Sequence, residues 1–488
     1  MRQDRDGGKI PRRTPMIAVG VLQFLILLVA LARGKALAVM MGPEGVGVIG
    51  IIDQIVVTVA QFSALGLPFA AMKFMSAAHS RSEDDYRDSF AAFARVLLVL
   101  AGAVVVVGVV VTLTVPEAAG ELEDYRGALV VSIFVVPLTM LTILIAHTIA
   151  AAQKPQMAAT FNLVFAATAT GAALAGLAVA GITGFYVGSV AAGVLVLGGA
   201  LIYLHHELGL SLLRRAVSMR REFRQLSLIL RTSMAAYVTF VSASALLLFM
   251  RYEVLQSEGV FQVGLLQSAL GVALSVGSIL ATLGSLYLAP SMNRADPPSI
   301  KFRKAADFNA LTAFYIVLGA VPVALVPGLV LTILFTDIFA AAAVALVLCL
   351  IWQMLSQVAT TYSHVLIGID RPVSAVFATL VSVVPGVIAV SLLTGPLGIL
   401  AAPIALILST LVRLALIVAL LVLREGMAVP WPTALRYLGV TVAIGAAPVL
   451  FDPAVVLPDA AGLASRAAYA LAMIGLAWLV KRPAPQGK

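Results

Sequence analysis

The residues of this chain that could do chemistry are charged side chains set in long apolar stretches. Arg33, Lys35, Asp53, Lys73, Arg251, Glu253 and Arg413 all lie within such stretches or at their ends. A charge at the centre of a lipid-exposed helix costs about 2.5 to 3.5 kcal/mol on insertion scales, so these groups are expected to face a protein interior or a wet cavity. Arg33 and Asp53 stand about ten residues either side of Pro43 and Glu44. That spacing puts them at similar depth on antiparallel helices, roughly 15 Å from the turn. Two readings are open: they pair with each other, or together with Lys35 they line a route for a polar substrate. Arg251 and Glu253 precede a second copy of the same turn, either as snorkelling anchors or as the matching part of that route. Arg413 is about ten residues from Arg424 at the end of its stretch. It is therefore near the midplane, where it contacts a cavity or bonds a carbonyl. Lys73 lines a vestibule or anchors a helix end. His147 and His364 fall one to two turns before the ends of their stretches, where an imidazole carries protons or complements the helix dipole.

Several chemistries are excluded by pattern. Gly45, Gly47 and Gly50 spell a dinucleotide-binding fingerprint, but that motif needs a preceding strand and a βαβ unit, whereas these glycines open an apolar helix after Gly42-Pro43-Glu44. Close helix packing accounts for them. Phosphate-binding loops, HExxH and CxxC are absent, so no catalytic residue, metal or cofactor is expected and the chain is not read as an enzyme. Cys349 is the single cysteine and cannot form an internal disulfide.

The elements that must carry these residues are membrane helices. Of 488 residues, 61% are hydrophobic and 11% charged, whereas soluble domains are about half apolar and a quarter charged. Fourteen apolar stretches are readable, giving an all-α integral membrane protein. The division expected is a six-helix lobe over 1–205, a cytoplasmic amphipathic connector over 206–231, a second six-helix lobe over 232–423, and an accessory helix pair with a tail over 424–488. With the amino terminus cytoplasmic, 24 basic residues fall on that side and five on the other. The bias predicts both termini inside and explains the net charge of +9 without nucleic acid. Arg214, Arg215, Arg220, Arg221 and Arg224, interleaved with leucines, mark the connector as an interfacial helix or a site for lipid headgroups.

An internal repeat links the lobes. The stretch from Glu44 to Ile52 recurs from Glu258 to Leu266, 214 residues on, and His147 with Lys154-Pro155 recurs as His364 with Arg371-Pro372, 217 residues on. Six spans per repeat is an even number, so a pseudo-two-fold axis along the membrane normal is expected.

The stretch from Leu31 through Arg33 to Met41-Gly42-Pro43-Glu44-Gly45-Val46-Gly47, followed by Ala64-Leu65-Gly66-Leu67-Pro68, resembles the amino-terminal signature of bacterial polysaccharide flippases. These are the O-antigen (Wzx-like) branch of the multidrug/oligosaccharidyl-lipid/polysaccharide exporter superfamily. Val48 and Ile49 replace the aromatic that such families carry after the turn. The resemblance implies an inner-membrane flippase for undecaprenyl-pyrophosphate-linked oligosaccharide in surface polysaccharide biosynthesis. Its partners would be that lipid-linked glycan, membrane lipids, and a polymerase and glycosyltransferases. Arg33, Lys35 and Arg251 would supply the anion contacts, since Arg suits phosphate. The rivals are an ion-coupled drug or cation antiporter of the same superfamily and a membrane glycosyltransferase or polymerase, which generally carries a long outer catalytic loop.

Overall fold

A computed structural model describes residues 13–114, 120–211, 219–283, 288, 292, 296–428, 431–453 and 459–480. Arg214, Arg215 and the carboxyl tail fall outside them. Regular structure among the described residues is helical throughout. In chain order the helices are α1 (Arg13–Ser63), α2 (Leu67–His79), α3 (Glu83–Thr114), α4 (Arg126–Ile133), α5 (Val135–Ala151), α6 (Pro155–Leu208) and α7 (Met219–Leu283). They continue as α8 (Pro298–Leu325), α9 (Pro327–Leu334), α10 (Ala343–Gly368), α11 (Pro372–Leu397), α12 (Ala401–Leu423), α13 (Trp431–Leu450) and α14 (Ala460–Val480).

The protein is a multi-pass integral membrane protein. Among the described residues seven helices are long and apolar enough to cross a membrane, or eight when Pro298–Ala313 and Leu318–Leu325, bent by 40°, count as one span. Helix number and crossing number differ here for a physical reason. The 54 residues of α6 would run about 80 Å if straight, against a hydrocarbon core of about 30 Å. The helix breaks instead at Gly181, whose φ of 62° only glycine adopts readily. Gly42 breaks α1 and Gly259 breaks α7 in the same way.

These breaks expose the repeat more sharply than residue similarity does. Left-handed backbone occurs at Gly42 and Gly259, Gln153 and Asp370, Gly181 and Gly398, and Gly209 and Gly426, each pair 217 residues apart. The expected offset of 214 for the first motif is therefore corrected to 217: Gly42 matches Gly259, and Glu44 does not match Glu258. A slip of three residues is nearly one helical turn and presents the same face, so similarity along an apolar helix is ambiguous by a turn.

Contacts divide the chain into two compact units, 1–33 with 55–237 and 34–54 with 238–488. The first unit is built on small residues. Ala60, Ala64, Ala71, Ala78, Ala94 and Ala101 bury in one cluster with Met75, Phe90, Leu97, Met140 and Leu144. Small side chains let helices approach closely where lipid is as apolar as leucine and burial alone cannot drive packing. Val99, Val106, Val179 and Leu195 point outward, as a lipid-facing wall requires. Outside the apolar region, α3 begins with the Ser82 Oγ accepting from the Asp85 amide at 3.0 Å, and Glu83, Asp84 and Asp85 complement its amino-terminal dipole.

In the second unit α10 is central, packing against α8, α12 and α13. The two copies of the glycine motif also meet here. A Cβ on Gly47 would strike the Val260 carbonyl and lie 2.9 Å from the Gly264 nitrogen, while one on Gly264 would strike the Pro43 carbonyl and lie 3.1 Å from the Gly47 nitrogen. Under the 217 offset Gly47 matches Gly264 and Pro43 matches Val260, so the contact is reciprocal. Reciprocity of this kind marks a local two-fold axis through the crossing.

Candidate functional site

The helix arm 34–54 carries Lys35, Asp53 and Gln54 into the second unit, and the break at Gly259 brings α7 alongside it. Arg251, only 3% exposed, lies between the two. Its Nη1 donates to the Gln54 Oε1 at 2.7 Å, and its Nε and Nη2 donate to the Gln267 Oε1 at 3.1 and 2.7 Å. Gln54 in turn donates through Nε2 to the Ser244 Oγ at 3.0 Å. Asp53 is near enough to act electrostatically on Arg251. The guanidinium thus ties α1 to both arms of α7, and a substrate could reach it only if this network opened. Glu253, two residues on, is half-buried.

Lys35 is held differently. Its Nζ donates to the carbonyls of Thr332 (3.3 Å) and Phe335, the carboxyl-terminal turn of α9, where orphan carbonyls and the helix dipole favour a cation. Gly34, beside it, leaves room for the Phe335 ring.

Arg413 on α12 donates through Nη2 to the Ser363 Oγ of α10 at 3.0 Å. Its Nε is shut from solvent and meets no acceptor. His364, next to Ser363, lies within electrostatic reach of it.

In the first unit the Arg33 guanidinium sits 5.1 Å from the centroid of the Phe185 ring, a cation–π geometry. Phe185 is fully buried one turn past the Gly181 break and packs edge-on to Tyr186. His147 is half-buried near the end of α5, matching His364 at the 217 offset. Lys73 lies on α2, and its side chain is outside the described ones. An apolar groove of about 290 Å³, lined by Ile149, Met157, Phe161, Val196 and Tyr203 among others, opens between α5 and the two arms of α6.

The structure thus sets Asp53 within electrostatic range of Arg251 in the second unit, and Lys35 and Arg413 in separate places of that unit. Arg33 belongs to the first. Reasoning from charge missed Gln54, Gln267, Ser244, Ser363 and Phe185. The amides carried a readable signal, since a glutamine within an apolar span also demands a partner. Ion pairs such as Arg87 with Glu83 and Arg371 with Glu425 lie at helix ends. Among the described residues no group of three or more acidic, His or Cys side chains could hold a metal.

No family model matches the chain, and no curated protein matches its sequence. Solved structures do. Lipid II flippase MurJ in an inward closed conformation superposes with a TM-score of 0.71 at 11% identity, covering 96% of this chain and 98% of its own. The fold is that of MOP superfamily transporters. An inward-facing multidrug resistance MATE family transporter of that superfamily matches with a TM-score of 0.65 at 14% identity over 89% of this chain and 99% of its own. A further MOP superfamily transporter, from Pyrococcus furiosus, gives 0.52 at 14% identity over 89% and 94%. The relatives in fold are transporters and a flippase.

Proposed function

We propose that the protein is a flippase that carries an oligosaccharide linked to a polyprenyl pyrophosphate from the cytoplasmic to the outer leaflet of a bacterial inner membrane. The charge balance within the spans carries this reading. Among the described residues Lys35 and Arg413 have only neutral partners, carbonyls for one and a hydroxyl for the other. Cations left with their charge uncompensated at membrane depth suit an anionic headgroup, and Arg recognises phosphate geometry well. A polar headgroup needs such a route while its hydrocarbon tail stays in lipid. The fold shared with lipid II flippase MurJ supports a lipid-linked substrate.

On this reading both termini are cytoplasmic, the chain crosses fourteen times, and the lobes 1–205 and 232–423 alternate access about an axis along the membrane normal, with 424–488 as an accessory pair. Arg33, Lys35, Asp53, Lys73, Arg251, Glu253 and Arg413 serve the substrate route, and His147 and His364 are the positions for proton coupling. Drug export is the second reading, favoured by the fold match to the MATE transporter.

One experiment separates them. In proteoliposomes holding a fluorescent undecaprenyl-pyrophosphate oligosaccharide, the wild type should move the probe and Arg413→Ala should slow it at least about tenfold, the scale of one charge-assisted contact. Membrane abundance measured alongside should stay unchanged. Rhodamine transport with no movement of the lipid-linked probe would reverse the choice.

A further inference from the structure

Among the described residues, three cations are less than a tenth exposed: Arg251, Lys301 and Arg466. The first donates to glutamine oxygens and the second to the Gly368 carbonyl. Arg466, 6% exposed, is different. Its Nη2 donates to the Asp452 carbonyl at 3.0 Å, but its Nε and Nη1 are closed off from solvent and meet no acceptor. Buried polar groups are almost always bonded, and an orphan on a charged group points to a ligand or ion that completes it.

The guanidinium is also held in place. It lies 5.6 Å from the centroid of the Phe451 ring. Phe451 packs edge-on to Tyr469 at 5.7 Å, and the Tyr469 hydroxyl donates to the Ala443 carbonyl at 2.8 Å. This frame holds Arg466, in the first turns of α14, against the carboxyl-terminal end of α13. Asp459 is exposed and engaged in capping α14 through the Gly462 amide at 2.8 Å, and Asp452 is exposed. A rigid cation with spare donors, near the start of an apolar helix, matches a phosphate oxygen of a lipid headgroup.

We propose that Arg466 forms a binding site for the phosphate group of a membrane lipid, between the end of α13 and the start of α14. The phosphate belongs either to a resident glycerophospholipid or to a polyprenyl-linked molecule. The site stands whatever the protein transports, since a resident phospholipid would fill it in either case.

The full-length protein in neutral detergent can be titrated with dioctanoyl phosphatidylglycerol and with geranylgeranyl pyrophosphate. Dioctanoyl glycerol and geranylgeraniol serve as phosphate-free controls, with binding read by native mass spectrometry. Wild-type protein should prefer each phosphorylated probe to its control, and Arg466→Gln should weaken both by about tenfold, as expected for a charged hydrogen bond. Arg466→Lys should retain part of the affinity, and Arg371→Gln, at an exposed cation, should retain all of it. Competition between the two phosphorylated probes names the source, and either winner supports the site. Equal binding of phosphorylated and phosphate-free probes by the wild type would overturn the proposal. So would an Arg466→Gln protein that melts earlier yet keeps the full phosphate preference, because Arg466 would then be only a strut on the end of α13.

Discussion

Replacing Arg251 strands two amides at once. Its three nitrogens are the donors to the Gln54 and Gln267 side-chain oxygens, so Arg251→Met takes this donor from two half-buried amides, at about 1 kcal/mol each. The variant should lose several degrees of melting temperature in detergent, and adding Gln54→Leu and Gln267→Leu should recover much of the loss by removing the stranded groups. If the single variant melts like the wild type but no longer moves the lipid-linked probe, Arg251 serves the substrate rather than the fold. At this scale the sequence showed which positions needed partners, because a charge in an apolar stretch must be satisfied. It did not show the partners, since glutamine, serine and backbone carbonyls carry no charge to match against. Lys35 makes the point: its acceptors lie some 300 residues away in the chain, and nothing in local spacing marks them.

Among the helices, the glycines divide by what surrounds them. At Gly264 a Cβ would meet the Pro43 backbone, which cannot yield without moving a helix, whereas at Gly271 it would meet nothing. Gly264→Ala should therefore destabilise by about 1 to 3 kcal/mol, as overpacking does, and Gly271→Ala should be neutral or stabilising, because alanine favours the helix. Unfolding in mixed micelles compares the two; equal effects would show that the helices do not cross at Gly47 and Gly264. Gly181 tests the other use of glycine, since space is open around it but its φ is positive. Gly181→Ala should cost only backbone strain, about 1 to 3 kcal/mol. The breaks were legible in part. Gly42-Pro43 stood out as a turn, but Gly181 lies in a sequence rich in glycine and alanine where no residue type singles it out. The register was similarly hidden, because the resemblance of Glu44-Gly45-Val46 to Glu258-Gly259-Val260 is local, whereas the register is fixed by where the backbone turns left-handed.

For the whole molecule, the repeat and the charge bias make one joint claim about orientation. Equivalent backbone conformations at Gln153 and Asp370 place Lys154 and Arg371 at the same point of the two repeats, each preceding a proline that starts a helix. Parallel repeats would put both on one face of the membrane, and under the proposed topology, with its 24 to 5 distribution of basic residues, that face is the cytoplasmic one. Inverted repeats would put them on opposite faces. The protein suits a direct test because Cys349 is its only cysteine and is buried, so Cys349→Ala gives a blank background at the cost of one small side chain. Lys154→Cys and Arg371→Cys alter exposed positions. The latter also loses the pair with Glu425, a helix-end contact worth no more than about 1 kcal/mol. Glu123→Cys, exposed beside α4, marks the opposite face. With a membrane-impermeant maleimide, position 123 should react in intact cells, and positions 154 and 371 only after the membrane is opened. Reaction of 154 and 371 from opposite sides would refute the parallel arrangement. Reaction of both from outside would keep the repeat and invert the topology, and with it the leaflet from which a lipid-linked headgroup first meets Arg413.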